Sequence, residues 1–429
     1  MKSLQSRRSF LKITAALSAP MIIPASALGK NGHTAPSDRI TIGCIGMGGM
    51  GKNNMSSFLQ YSDVHIASIC DVDEKRLLQA KEMVNNAGQS CSTTVDFQEI
   101  LHDTSIDAVS IATPDHWHGA IAVKAAENGK DIYGEKPLSH NLAEGRAICN
   151  AVQKHQRIWQ TGSWQRSQAN FRFGAELVRN GRIGKVHTVK VGLPEGYSVR
   201  ETEQTGIQEP PPSFHYDLWL GPAPVIPYEP IKTHWNWRWQ LAFGGGQLLD
   251  WVGHHVDIAH WGLGLEYAGP VEISGQGIYP QTGPWDAASK YKLNARYKEG
   301  VNIIIAGGYK DIPMGTKWIG EYGWVYVNRG GVIQASPESL LRESFAPDEI
   351  HLYRSNDHRR NFIDCIKSRR PTITPAEVAH RSATPGHLGQ IAMLLKRPIT
   401  FNPDTEEIIG DPQASRLLSR PMRTPWKID

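Results

Sequence analysis

The chain has 429 residues, with 46 Lys and Arg against 42 Asp and Glu, for a formal charge of +4. That length accommodates two domains. The first 27 residues supply Lys2, Arg7, Arg8 and Lys12 and no acid, so the remainder is neutral (4 − 4 = 0). This argues against a nucleic-acid binder held by charge, and no later stretch has the length and apolarity of a transmembrane helix.

The N-terminus reads as an export signal. Ser6-Arg7-Arg8-Ser9-Phe10-Leu11-Lys12 matches the twin-arginine pattern, an apolar run from Ile13 to Ile23 follows, and Ala25-Ser26-Ala27 offers a cleavage site. Residues 1–27 are expected to be removed, with the twin-arginine translocase as a transient partner and the periplasm as the destination. Because that route moves folded proteins, a cofactor can be loaded first and must then be held tightly.

Ile40 to Gly51 is an apolar, β-branched run that ends in glycine, with Gly46, Gly48 and Gly51 at G-x-G-x-x-G spacing. In a dinucleotide-binding βαβ unit such glycines make the turn, admit a pyrophosphate and let the helix pack on the strand. Gly46, Met47, Gly48, Gly49 and Gly51 are the expected contacts, with free helix N–H groups facing the phosphates. A second buried strand, 64–70, ends at Asp71, which is placed to bind the adenosine ribose and to repel a 2′-phosphate, so NAD is favoured over NADP. The bland alternative is that Asp71 only begins a turn and caps the next helix.

Strands are predicted near 40–45, 64–70, 108–112, 131–134 and 158–161, and helices near 50–60, 74–87, 115–129 and 141–155. This alternation means parallel strands with crossover helices. Thr113-Pro114 and Glu135-Lys136-Pro137 then fall on the carboxyl edge, where such sheets bind ligands. Asp115 is placed to cap the next helix, while His116 and His118 are placed to face the cofactor. A helix is predicted near 167–180. Gly192 to Thr233 is proline-rich and largely irregular, which in a loop this long points to function or mobility. A helix over 245–262 precedes strand-like runs near 271–279, 291–297, 301–307, 323–327 and 331–334. A last helix, 375–396, should be kinked or interrupted at Pro385-Gly386. The reading is an α/β protein: a doubly wound, parallel Rossmann sheet over 38–162, then an α+β domain with a large, mainly antiparallel open sheet over 163–429. The last helix and tail have the option of packing back on the first domain.

Lys136, at the end of its strand, can polarise an oxygen or relay a proton. Asp250 and His254 lie four apart on the predicted helix and share a face. Hydride transfer from a secondary alcohol needs a base for the hydroxyl proton, and histidine suits that task. Asp250 can orient the imidazole or hold a substrate hydroxyl, although a hydrogen-bonded core histidine is the plainer explanation of His254. A metal reading of His254, His255, His260, Asp250 and Asp257 is weak, because successive histidines point to different faces and no H-E-x-x-H pattern is present. No metal is expected. The 13 tryptophans, several of them in Trp235-Asn236-Trp237-Arg238-Trp239, suit either core packing or stacking on sugar rings. The five cysteines, an odd count without metal spacing, predict no structural disulfide.

With G-x-G-x-x-G, E-K-P and G-G-G-x-L-L-D-x-x-x-H in this order, the chain resembles the glucose–fructose oxidoreductase/inositol dehydrogenase/MocA (Gfo/Idh/MocA) family. It looks closest to exported members from the Bacteroidota. The resemblance implies a Rossmann domain joined to an open-sheet domain that often mediates homo-oligomers. It places the catalytic lysine on Lys136 and the catalytic aspartate and histidine on Asp250 and His254. One departure stands out: Val252 occupies a position that is often glycine, and Gly253 follows. Some similar exported proteins are NAD-dependent glycosidases, but those lack the lysine of E-K-P.

The resulting expectation is an NAD-dependent oxidoreductase acting on a sugar, polyol or glycoside, with Lys136, Asp250 and His254 facing one another across the nicotinamide. Gln165, Arg166, Trp237 and Arg238 join Asp250 and His254 as substrate contacts. The rival is a redox-assisted glycoside hydrolase or lyase with no net cofactor turnover, and a weaker rival is a sugar-binding protein without chemistry.

Overall fold

The computed structural model describes residues 34–197 and 205–428; the expected export signal lies outside them. The first domain is built on the strands β1 (Ile40–Ile45), β2 (Val64–Cys70), β3 (Ser92–Thr94), β4 (Ala108–Ile111), β5 (Asp131–Gly134) and β6 (Trp159–Thr161). They form one sheet in the order β3-β2-β1-β4-β5-β6, with every pairing parallel. The order reverses between β1 and β4, so a crevice opens at their carboxyl ends. The connecting helices are α1 (Gly49–Phe58), α2 (Glu74–Asn86), α3 (Phe97–His102), α4 (Asp115–Glu127) and α5 (Leu142–Lys154). They cover both faces. Met55, Phe58, Leu77 and Val84 build one apolar layer, and Phe97, Ile100, Ile121 and Ile148 build the other. The short β3 and α3 escape sequence prediction because neither is long enough to show a period.

The second domain continues with α6 (Ala169–Arg179), β7 (Val186–Leu193), α7 (Tyr216–Leu220) and α8 (Gly246–Leu263). The strands β8 (Glu272–Ile278), β9 (Lys290–Arg296), β10 (Asn302–Gly307), β11 (Gly315–Gly320), β12 (Trp324–Val327) and β13 (Ile333–Ser336) follow. Next come α9 (His358–Ser368), α10 (Ala376–Leu395), β14 (Ile399–Asn402), β15 (Glu407–Ile408) and α11 (Pro412–Ser415). Nine strands form one sheet in the order β13-β12-β11-β7-β10-β9-β8-β14-β15. It is antiparallel except where β7 runs beside β10 in parallel. Burial alternates along the strands: Tyr291, Leu293 and Ala295 face the core while Lys290, Lys292 and Asn294 do not. The buried face packs on α6, α8 and α10 through Phe171, Leu248, Val256, Trp318 and Leu388.

Two expectations are corrected. β7, β11 and α9 were absent from the predicted elements. α10 is not interrupted at Pro385: it runs 20 residues with that proline inside, and Ala383 and Leu388 on either side are buried in the core, so tertiary packing outweighs the lost hydrogen bond. The proline-rich stretch is largely irregular, as expected, and its described residues Phe214, Trp219, Leu220 and Tyr228 share an apolar core with Trp237 and Phe243 just beyond it.

Several segments of the second half pack on the first domain. Phe362 of α9 meets Phe58 and Tyr133, Arg360 pairs with Asp63 at 2.7 Å, and Trp426 lies against Trp117 and Phe97. The strap around Phe214 is tied to the end of β2, with Glu74 N–H donating to Ser213 O at 3.0 Å and His215 N–H to Val72 O at 2.9 Å.

Candidate active site

The glycine turn opens the cleft. Gly46 has φ +87°, and a Cβ there would meet Ala112 and Thr113 backbone at 2.8 Å. A Cβ on Gly51 would lie 1.8 Å from Gly46 O, so this glycine sets how closely α1 approaches β1. No side chain caps α1, whose N-cap is Gly48, and its first N–H groups are left for an anion. Asp71 accepts from Met47 N–H at 2.5 Å and from Asp73 N–H at 2.9 Å. It is not the helix cap, a role that falls to Asp73, which accepts from Lys75 N–H. Burial raises the Asp71 carboxyl above its ordinary range, against the pull of Arg76.

A cleft of about 1220 Å³, counted out to its mouth, runs along this edge. Gly46, Gly48, Gly49, Asp71, Thr113, Pro114, His118, Glu135 and Lys136 line one side, and Trp219, Trp235, Trp237 and Arg238 of the second domain line the other. Its bare helix terminus and the acid at the end of β2 fit a dinucleotide. Met47 is buried beneath the turn and offers its backbone N–H to Asp71. The Glu135 carboxylate accepts from Asn54 of α1 at 2.9 Å, which braces the lysine-bearing strand end against α1. The His118 ring lies 2.8 Å from Pro137 O and 3.0 Å from Thr113 O, spanning the two strand ends. Burial lowers its pKa, so the neutral ring donates to one of these carbonyls at a time.

His116 is a correction. It is fully buried away from the cleft, with Nε2 at 2.9 Å from Trp219 O and its ring against Phe243. The α4 turn aims it at the second domain. The Asp115 carboxyl lines the cleft rather than capping α4, whose N-cap is Pro114. Burial and the negative charge of Asp250 raise its pKa well above the ordinary carboxyl range.

At the inner end stand the expected catalytic groups. Lys136 Nζ donates to Asp250 Oδ1 at 2.9 Å and to Asp250 O at 2.5 Å. Arg238 Nε donates to the same Oδ1 at 3.2 Å. Burial pushes the Asp250 carboxyl up, but Lys136 and Arg238 outweigh it and hold the pKa at about 2. The cation and the acid thus touch, which corrects the expectation that a nicotinamide lies between them. Gly253 explains the departure at Val252: a Cβ on Gly253 would lie 3.1 Å from Lys136 Cβ, and Ser163 Oγ donates to Gly253 O at 2.7 Å. The glycine therefore stands where α8 meets the lysine strand.

His254 lies one turn beyond. Its ring is edge-on to Trp251 at 5.4 Å and to Trp164 at 6.1 Å. Its buried Nδ1 has no hydrogen-bond partner among the described residues. Asp250 therefore does not orient this ring; its carboxylate positions Lys136 instead. Burial first, then the charges of Lys136 and Arg329, hold the His254 pKa well below 6.5, so the imidazole is neutral and able to accept a proton.

Two expected substrate contacts face elsewhere. Arg166 is locked to Asp257 at 2.7 and 2.8 Å and to Glu266 at 3.2 Å, with Trp261 over its guanidinium. A buried arginine so paired is structural. Gln165 is fully buried and lies 3.3 Å from His255 Nδ1, behind α8. His255 stacks on Trp251, and His260 lies 2.7 Å from Tyr297 Oη. Among the described residues, no three His, Cys, Asp or Glu side chains converge on a metal position, and all five cysteines are free.

Sequence reading missed Trp164, Trp251 and Arg329. The tryptophans adjoin Gln165 and Asp250 in sequence, which is the signal that could have found them. Arg329 belongs to the turn between β12 and β13, far along the chain, and nothing local marks it. Its guanidinium carbon lies 4.4 Å from the ring centre of Trp164 and 4.3 Å from that of Trp251. Its Nε and Nη2 are buried without a partner among the described residues, an arrangement that costs about 1–3 kcal/mol or more per unpaired charged group.

Residues 40–163 match the description "Oxidoreductase family, NAD-binding Rossmann fold", and residues 155–428 match "Oxidoreductase family, C-terminal alpha/beta domain". A myo-inositol 2-dehydrogenase of Thermotoga maritima is 31% identical over 86% of this chain and 99% of its own length. Two other curated relatives are matched over about half their length or less. The uncharacterized oxidoreductase YrbE of Bacillus subtilis is 32% identical over 53% of this chain and 55% of its own length. A glycosyl hydrolase family 109 protein of Shewanella pealeana is 30% identical over 35% of this chain and 38% of its own length. Among solved structures, an aldose–aldose oxidoreductase from Caulobacter crescentus shares the fold, with a TM-score of 0.63 and 18% identity over 85% of this chain and all of that one. The chain belongs to the Gfo/Idh/MocA oxidoreductase family.

Proposed function

We propose that this protein transfers a hydride between a hydroxyl-bearing carbon of a sugar or polyol and NAD held in the cleft. The observation that carries this reading is the Lys136–Asp250 contact of 2.9 Å at the inner end of the dinucleotide cleft, with a neutral imidazole one helical turn away. NAD supplies the hydride acceptor. His254 takes the hydroxyl proton, Lys136 polarises the carbonyl oxygen as it forms, and Asp250 and Arg238 hold Lys136 in place. The C–H bond gives its electron pair and hydrogen to the cofactor and the O–H bond gives its proton to the base, leaving a carbonyl compound. Lys136→Met should retain bound NAD and lose at least about 100-fold in hydride transfer. Turnover at the wild-type rate would overturn the assignment.

The partial match to a glycosyl hydrolase family 109 protein supports one second reading, in which the hydride returns after a glycosidic bond is broken. That outcome releases aglycone without net reduction of the cofactor, whereas the proposed activity accumulates NADH or consumes a second substrate. The export motif supports a periplasmic site of action through the twin-arginine translocase. Arg7→Lys with Arg8→Lys should then hold the protein in the cytoplasm. We infer homo-oligomers formed through the open sheet only from the family resemblance.

A further inference from the structure

We propose that Arg329 binds a carboxylate of the substrate, so that the sugar is a uronic acid or its glycoside. This deepens the functional reading above and rests on it for where the sugar sits. The guanidinium carbon lies over the indoles of Trp164 and Trp251, within 4.4 Å of each ring centre, and an indole offers the guanidinium N–H groups no lone-pair acceptor. One edge carries Nε and Nη2, the side-on pair that meets both oxygens of a carboxylate. Those are the two nitrogens that are buried and without a partner among the described residues.

The same indoles flank His254, so whatever the arginine binds is held beside the proton acceptor. Burial lowers the Arg329 pKa to about 10 although Asp250 opposes this. Asp250 acts on the guanidinium only through space: it is held by Lys136 and Arg238, and neither Nε nor Nη2 of Arg329 bonds to it.

The turn that carries Arg329 is preorganised. Asn170 of α6 donates to Asn328 O at 2.8 Å and to Val332 O at 3.0 Å, and Gly330 and Gly331 turn the chain at φ +75° and +76°. A phosphate, with more charge and a third oxygen, calls for more donors than this single fork offers.

The test uses NAD-loaded protein as wild type, Arg329→Gln and Arg329→Lys. Methyl glycosides of glucuronic and galacturonic acid are compared with those of glucose and galactose, and with the corresponding sugar 6-phosphates. Calorimetry reads binding, and nicotinamide reduction reads turnover. The wild type should prefer a uronoside over its neutral partner, and Arg329→Gln should lower that preference by at least about 30-fold. Arg329→Lys keeps the charge but not the fork, and should lie between them; it carries the test if the glutamine variant does not fold. Equal weakening of acidic and neutral sugars, no preference in the wild type, tighter binding of the phosphates, or full preference in Arg329→Lys would each overturn the proposal. Arg329-dependent uronoside binding without nicotinamide reduction would uphold this inference and defeat the oxidoreductase reading.

Discussion

Asp250 holds Lys136 by its side chain and its own carbonyl, and this double grip fixes a flexible ammonium at one point. The arrangement has a pH signature. Because the folded-state pKa of Asp250 is depressed to about 2, its contribution to stability is complete above the ordinary carboxyl pKa of roughly 3.9 and is lost as pH falls through the folded value. It is worth about 2 kcal/mol by that linkage. Asp250→Asn should flatten the acid-unfolding curve in this window, read by circular dichroism, and should also lower turnover by releasing Lys136. His254 has the same sign by a different cause, since its folded-state pKa is also depressed and its contribution is also lost as pH falls. Its pKa is depressed by burial and by neighbouring cations, so it stays neutral below the usual histidine range. The acid limb of kcat/KM in the NAD-loaded protein should therefore fall below pH 6.5. A limb centred at or above that value would show that the base is another group or that the imidazole is solvated.

At the level of elements, the site is a joint between the end of β5 and one face of α8, and glycines set the approach on both sides. Gly51→Ala would force α1 away from the turn at Gly46, because the added carbon meets a carbonyl oxygen at 1.8 Å. It should weaken NAD binding and lower the melting temperature. Gly253→Ala is the milder probe: its Cβ would press on Lys136 at 3.1 Å, so it should lower kcat more than it weakens NAD binding. These features were legible in the sequence because they are local. A strand that stops in glycine, a lysine before a proline and an acid four residues before a histidine each declare themselves within a dozen positions. What was not legible depends on distance along the chain. β7 enters the sheet between strands that come more than a hundred residues later. Arg329 reaches Trp164 from 165 positions away (329 − 164 = 165). Arg166 and Gln165 carry the right chemistry for a substrate site, but the helix they sit beside turns them toward Asp257 and His255. His116 has the same history: adjacent to residues that line the cleft, it points the other way because successive helical residues diverge by about a quarter turn or more.

Both halves of the molecule wall the cleft. The strap around Phe214, the tryptophans near Arg238 and the C-terminal Trp426 bring second-half residues over a cleft whose floor belongs to the first domain. Binding energy drawn from both halves should couple cofactor retention to overall stability, so removing NAD should lower the melting temperature, and adding it back should restore it in proportion to the logarithm of its concentration. The most direct test of the central claim is a single-turnover experiment. NAD-loaded protein is mixed with sugars and polyols carrying deuterium on the reacting carbon, and the near-ultraviolet band of reduced nicotinamide is followed. The account predicts that deuterium arrives on the nicotinamide, that reduction is slowed by the isotope, and that Lys136→Met abolishes the signal while keeping the cofactor. Bound NAD that acquires no deuterium from any such compound would contradict it.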